Sequence, residues 1–283
     1  MATTPLDIHI VVIEWVYRSS QHAAIDYPTL RACALVCRAW TPIAQRLLFR
    51  RVPVPKTKIV KLYSNIMARF VRTLRTAPHL AAHVRSFILE LEGIETKPEV
   101  LDDAMEALAL CTNVDGITIG PFDADAGFMA HLETLPVRPS FLSLSGRYSV
   151  VDHVIQIVIQ IWPSLRILDI GAVSYVALDT HLRMPRELQA LSTSAWTSWS
   201  ASNTAAPLLG DLELRCHDGS AFTKLASFGM AAQLRSLCLV GSGGELKAPP
   251  PAVLEQLAAL ESLVLDILPS TAYVLPINLR HLG

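Results

Sequence analysis

Five small clusters in the chain hold residue types that do chemistry elsewhere. His79-Leu-Ala-Ala-His83 sets two imidazoles four residues apart, the spacing that puts two zinc ligands on one helix face. A zinc hydrolase of that kind also needs a glutamate after the first histidine as general base, and Leu80 stands there. Asp123-Ala-Asp125 offers paired carboxylates for a divalent cation, but it sits among Pro and Gly, where Asp ordinarily makes turns. Gly241-Ser-Gly-Gly244 lacks the Lys-Ser/Thr of a phosphate-binding loop and reads as a flexible connection. Cys33 and Cys37 lie four apart on a predicted helix, with no other Cys or His near in sequence, and read as core residues. Trp196 and Trp199 sit in a stretch rich in Ser, Thr and Ala, where exposed aromatics favour an interface. No Gly-x-Ser-x-Gly elbow occurs. These residues point to binding rather than to catalysis, and neither a cofactor nor a metal is expected.

Composition narrows the class further. The 283 residues are 51% hydrophobic and 17% charged, which suits a large buried core and excludes global disorder. Charge is unevenly placed. Residues 1–85 carry 13 Lys/Arg against 3 Asp/Glu, a net of +10. The remainder carries 11 against 22, a net of −11. Two units are therefore expected. The basic portion is read as a solvated helix face, and no nucleic-acid partner is expected. Five widely spaced cysteines, Cys33, Cys37, Cys111, Cys216 and Cys238, fit buried free thiols in a reducing compartment. No apolar stretch suits a secretory signal or a bilayer span, so a cytosolic or nuclear protein without a membrane partner is expected.

The elements that must position the candidate residues begin with three helices. Ile8, Val11, Val12, Trp15 and Val16 recur at helical spacing, which predicts a helix over 7–18 with Asp7 as its cap. Ser19 to Tyr27 reads as a polar connection. Pro28-Thr29 opens a second helix over 29–39, with Leu30, Cys33, Ala34, Val36 and Cys37 on one side. Pro42 opens a third over 42–48. Forty-five residues make a poor independent core, so such a unit needs a partner or the next domain to cover its apolar face.

Beyond them one template recurs: apolar-x-x-apolar-x-apolar, the strand signature of leucine-rich repeats. It fits at Val84, Val114, Leu165, Leu209, Leu234 and Leu260 as first slots. Weaker copies start at Pro139 and Leu188, and a partial copy starts at Leu279. Helical stretches alternate with these copies, at 102–111, 149–162, 222–230 and 252–260. Lys58–Thr76 is read as the first helix of the repeats, and Leu48–Val54 as a possible leading strand. The predicted fold is α/β: a short helical unit over 1–50, then an irregular leucine-rich-repeat-like solenoid over 51–283 with parallel strands and outer helices. The sequence stops inside a strand copy, so either a longer chain or a covering partner is expected at Leu279 and Leu282.

The helical unit also carries a family likeness. Leu30 with Val36-Cys37-Arg38 and Trp40 resembles the second half of an F-box. Pro5-Leu-Asp-Ile-His-Ile-Val-Val-Ile-Glu-Trp-Val resembles the first half, and Leu48-Phe-Arg-Arg-Val-Pro-Val54 extends the match to the version common in fungal F-box proteins. The likeness covers roughly the first 50 residues. It implies docking on a Skp-type adaptor, and through it on a cullin ubiquitin ligase, by Pro5, Leu6, Ile8, Leu30, Val36, Cys37 and Trp40. Thr4 departs from the usual Leu before the Pro, which weakens the expected docking. The implied role is a substrate-recognition subunit whose repeats hold an unknown protein target. Trp196 and Trp199 are read from their loop either as target contacts or as side chains that fold back to fill space beside the weak copy at Leu188. The competing expectations are a scaffold whose F-box does not dock, and an enzyme with a site on the concave face of the repeats.

Overall fold

The computed structural model describes residues 6–19, 26–53, 60–89, 98–120, 126–144, 158–171, 187–193, 209–216, 231–241, 256–265 and 280–282. The chain divides into two compact units. The first comprises Met1–Glu90, Ile94–Gly116 and Leu135–Val137, and the second Leu91–Gly93, Ile117–Thr134 and Arg138–Gly283.

The first unit starts with helices α1 (Leu6–Ser19), α2 (Tyr27–Val36) and α3 (Thr41–Arg50). Their shared core is Ile13, Tyr17, Leu30, Cys33, Ile43, Ala44 and Leu47, with Ile10, Ala34, Trp40 and Leu48 packed against it. The Arg46 guanidinium reaches Glu14 Oε1 at 3.0 Å and ties α3 to α1, an exposed pair worth little beside that core. Strand β1 (Arg51–Pro53) follows α3 directly and lies parallel to β2 (Ser86–Leu89). Between them run α4 (Val60–Thr76) and the single turn α5 (Pro78–Ala81). Helix α4 buries Met67, Val71 and Leu74, and α6 (Pro98–Leu110) buries Leu101, Ala104, Met105, Ala107 and Leu108. Arg75 pairs with Glu106 between these two helices.

Helix boundaries show why two expectations fail. Helix α2 starts at Tyr27 rather than 29, because Asp26 caps it: Asp26 Oδ1 accepts the Thr29 N–H at 3.0 Å. It ends at Val36 rather than 39. Cys37 turns to extended backbone, and the Thr41 hydroxyl donates to Ala34 O at 2.8 Å and Cys37 O at 3.1 Å, serving carbonyls at the helix end. Cys33 and Cys37 therefore do not share a helix face, since Cys33 is buried and Cys37 exposed. Val36 faces away from Leu30, as six residues of helix require. Asp7 lies inside α1, which already starts at Leu6.

Strand β3 (Gly116–Ile119), helix α7 (Ala126–Thr134) and strands β4 (Phe141–Leu144), β5 (Ile167–Ile170), β6 (Ala190–Thr193), β7 (Asp211–Cys216), β8 (Ser236–Gly241), β9 (Ser262–Leu265) and β10 (His281–Leu282) follow. From β4 to β10 every strand pairs in parallel with the next in chain order. The register is the repeat written as hydrogen bonds: Leu142, Leu168, Leu191, Leu212, Leu237 and Leu263 form one continuous row. All six are buried, as are the first-slot residues Pro139, Leu165, Leu188, Leu209, Leu234 and Leu260. Each buried leucine of the stack contributes about 1.5–3 kcal/mol.

A second period lies in the backbone. The residue after each first slot offers its carbonyl to two N–H groups of the following copy. Ser140 O accepts from Arg166 at 2.8 Å and Ile167 at 2.9 Å, and Arg166 O accepts from Gln189 at 2.7 Å and Ala190 at 3.0 Å. The same fork recurs at Gln189, Gly210, Arg235 and Glu261. It satisfies the donors that enter each strand without using side chains, so the position tolerates Ser, Arg, Gln, Gly and Glu alike. The chain thus carries a leucine-rich-repeat-like α/β fold. Of the expected outer helices, residues 158–161 are helical, while 149–157, 222–230 and 252–255 lie outside the described residues; in the rest of 252–260 Gln256 is helical and 257–259 form a turn.

Candidate interaction sites

Two surfaces stand out, one in each unit. The first is on the three helices. Among the described residues the exposed large hydrophobics are Ile8 (50% exposed), Val11 (66%), Val12 (43%), Leu35 (86%), Val36 (62%), Ile167 and Val264. Five of these seven belong to α1 and α2, so the apolar exposure is concentrated rather than scattered. The cause is visible in α1. Ile10, Ile13 and Tyr17 recur at intervals of three and four and turn inward, while Ile8, Val11 and Val12 make a second apolar stripe that turns outward. One helix carries two apolar faces, and its own unit covers one.

The residues implied by the F-box likeness fall into three groups. Ile8, Val36 and Cys37 are exposed. Leu30 is fully buried between the helices, and Trp40 is half-buried against the same core; in the free chain Leu30 presents no surface to a partner. Pro5 lies outside the described residues, and of Leu6 only its place in α1 is described. Sequence reasoning missed Leu35, the most exposed of the set. It follows Ala34 directly, and only the three-dimensional position of α2 shows that it faces outward.

The second surface is the sheet face of β4–β8. Side chains alternate along a strand, so each buried leucine leaves neighbours on the opposite side. Phe141, Ile167, Ala190, Asp211 and Ser236 share one register row, and Ser143, Asp169, Ser192, Glu213 and Cys238 share the next. All of them except Ser143 line an open groove of about 360 Å³. Ser143 Oγ donates to Asp169 Oδ2 at 2.8 Å. Asp169 Oδ1 and Ser192 Oγ are shut off from solvent and have no hydrogen-bond partner among the described residues. Trp196 and Trp199 lie outside the described residues.

His79 and His83 flank the end of α5, and no group of three His, Cys, Asp or Glu that could hold a metal occurs among the described residues. Partial burial, His79, Arg46 and Arg85 together hold the His83 imidazole below its ordinary range. Burial pushes the Cys111 thiol up to about 12, which keeps it protonated and unreactive. The Thr29 hydroxyl and then its N–H hold the Asp26 carboxyl below the usual range, as fits a cap. Asp123, Asp125 and the loop residues Ser242, Gly243 and Gly244 lie outside the described residues. No described helix is long and apolar enough to cross a membrane.

No protein-family model matches the chain, and no curated protein matches its sequence. Among solved structures the chain is similar to two internalins of Listeria monocytogenes. Internalin C2 shares 16% identity over 78% of this chain and 95% of its own, with a TM-score of 0.44. Internalin InlF shares 12% over 99% and 97%, with a TM-score of 0.43. A TLR13–ssRNA13 complex shares 14% identity over 67% of this chain, with a TM-score of 0.40. The chain spans about a third of that TLR13 chain, 33% of its length.

Proposed function

We propose that the chain is a substrate-recognition subunit of a Skp–cullin–F-box ubiquitin ligase, resident in the cytosol or nucleus. In this reading residues 1–50 are the F-box and 51–283 the target-binding repeats. The observation that carries it is the outward apolar stripe Ile8–Val11–Val12 with Leu35 and Val36, set on a unit whose sequence resembles an F-box. Water-exposed apolar area of this density gains free energy on being covered. A Skp-type adaptor is the partner that the F-box likeness implies. Ile8, Val36 and Cys37 make the contact, Leu35 and Val11 enlarge it, and Leu30 and Trp40 hold α2 and α3 at the angle that presents it. Pro5 and Leu6 belong to the same proposed contact set on the F-box likeness alone.

The chain itself performs no reaction in this scheme. It holds a protein target near the site of ubiquitin transfer, where proximity raises the effective concentration of the reacting groups. Trp196 and Trp199 remain assigned to target contact. The test is co-expression with a Skp-type adaptor followed by size-exclusion chromatography. Co-elution of the wild-type chain, lost in a Leu35→Ser/Val36→Ser double variant that keeps its helical circular dichroism, is the expected result. A folded wild-type chain that elutes alone would overturn the ligase reading and leave a protein-interaction scaffold.

A further inference from the structure

The groove on β4–β8 has the chemistry to choose its occupant. Its charged lining residues are Asp169, Asp211 and Glu213, all acids. Around them stand the apolar side chains of Phe141, Ile167 and Ala190. Asp169 is the central group. One of its oxygens takes the Ser143 hydroxyl, and the other is buried without a donor beside an equally unpartnered Ser192 hydroxyl oxygen. A buried acceptor without a donor is costly, and an ionised one more so. A donor brought in by a ligand removes that cost, and the loose terminal torsion of an aspartate lets the carboxylate turn to meet it.

We infer that this groove binds an extended, arginine-bearing segment of a protein partner, with Asp169 as the specificity-determining residue. This rests on the proposed target-binding role of the repeats and names the target's chemistry. Three features fit a guanidinium better than other groups. Its planar fork can serve a carboxylate oxygen and a neighbouring hydroxyl together. Its aliphatic stem has Ile167 and Ala190 to lie against. Asp169 and Glu213 lie in one register row two strands apart, about 10 Å from the ordinary strand spacing. Alternate residues of an extended chain lie about 7 Å apart on one side, and two long basic side chains bridge the difference. Phosphate-bearing ligands meet like charge here.

The full chain, without any adaptor, is titrated into three fluorescent decapeptides: alternating Arg-Gly, alternating citrulline-Gly and alternating Glu-Gly. Fluorescence anisotropy is read at low and at moderate salt. Asp169→Asn and the double variant Asp211→Asn/Glu213→Gln are compared with Glu133→Gln, which removes an exposed acid on α7 outside the groove. The Arg-Gly peptide is expected to bind tightest. Asp169→Asn should weaken it about tenfold or more, in line with loss of a charge-assisted bond, while Glu133→Gln leaves it unchanged. Equal binding of the citrulline peptide, unchanged binding by both groove variants, or an equal loss in Glu133→Gln would overturn the inference. If Asp169→Asn loses its thermal transition, the double variant decides alone. Failure here leaves adaptor co-elution untouched, and failure of adaptor docking leaves this titration readable.

Discussion

The exposed stripe of α1 and α2 separates docking from folding, and the separation can be measured. In Leu35→Ser/Val36→Ser the two side chains removed are 86% and 62% exposed in the free chain. Their loss therefore costs the fold little, since surface changes of this kind stay within about 0.5 kcal/mol. If a partner covers them, each forfeits most of the burial energy of a Leu or Val, about 1.5–3 kcal/mol. Scaled by the exposed fractions, the pair should weaken adaptor affinity by about 2–4 kcal/mol, or roughly 30- to 1,000-fold. Leu30→Ala is the opposite case. Leu30 is fully buried among Ile13, Cys33 and Leu47, so its truncation should lower stability by about 2–5 kcal/mol. Any effect of Leu30→Ala on the adaptor would then follow loss of the helical unit. Calorimetric titration against purified adaptor and denaturant melts of the same samples give both axes. An affinity unchanged in the double variant would refute the argument that this face is the docking surface. A melt shifted as far as that of Leu30→Ala would refute the argument that it is free in the isolated chain.

Three further outcomes follow from other sites. The folded state holds His83 below its ordinary pKa, so the unfolded chain binds more protons as pH falls through the usual histidine range near 6.5. Stability is therefore full above that range and declines as pH drops toward the depressed value. Thermal melts at pH 7.5 and 5.5 should show a drop that His83→Asn reduces, and equal drops would remove the assignment. Among the described cysteines, Cys37 is exposed, while Cys33 and Cys111 are buried. A thiol reagent on the native protein should modify Cys37 well before Cys111, read by mass spectrometry of tryptic peptides. Trp162 is fully buried, yet its indole N–H has no partner among the described residues. Trp162→Phe removes that orphan donor with part of the packing and should cost far less than Trp162→Ala, for which about 3–5 kcal/mol is expected from urea unfolding.

The repeats were legible because their signal sits in buried slots. Leu168, Leu191, Leu212, Leu237 and Leu263 must all point inward, and a slip of one residue would turn each outward, so the demands of the core leave a readable register. Helices α1, α3, α4 and α6 were legible for the same reason at a different period. The short turn α5 and the helix α7 were not, since four residues carry no period and Asp123-Ala-Asp125 drew attention to a turn. Neither was the groove. The outward positions that hold Asp169, Ser192 and Glu213 recur with the repeat, but their residue types follow no pattern, because the buried core makes no demand on them.

The helical unit was legible only in part. An apolar stripe at helical spacing marks a face that must be covered, and Ile8, Val11 and Val12 form such a stripe. The structure gives the core to Ile10, Ile13 and Tyr17 instead. When a helix is apolar on two sides, periodicity identifies both faces but cannot say which one its own fold uses. The leftover face then reports a requirement that folding does not explain. In α1 and the end of α2 that requirement is five exposed aliphatic side chains on a unit with few residues in which to hide them. Folding alone would favour polar residues at Val11 and Leu35, and in the proposed reading an adaptor that covers them supplies the reason for their apolar character.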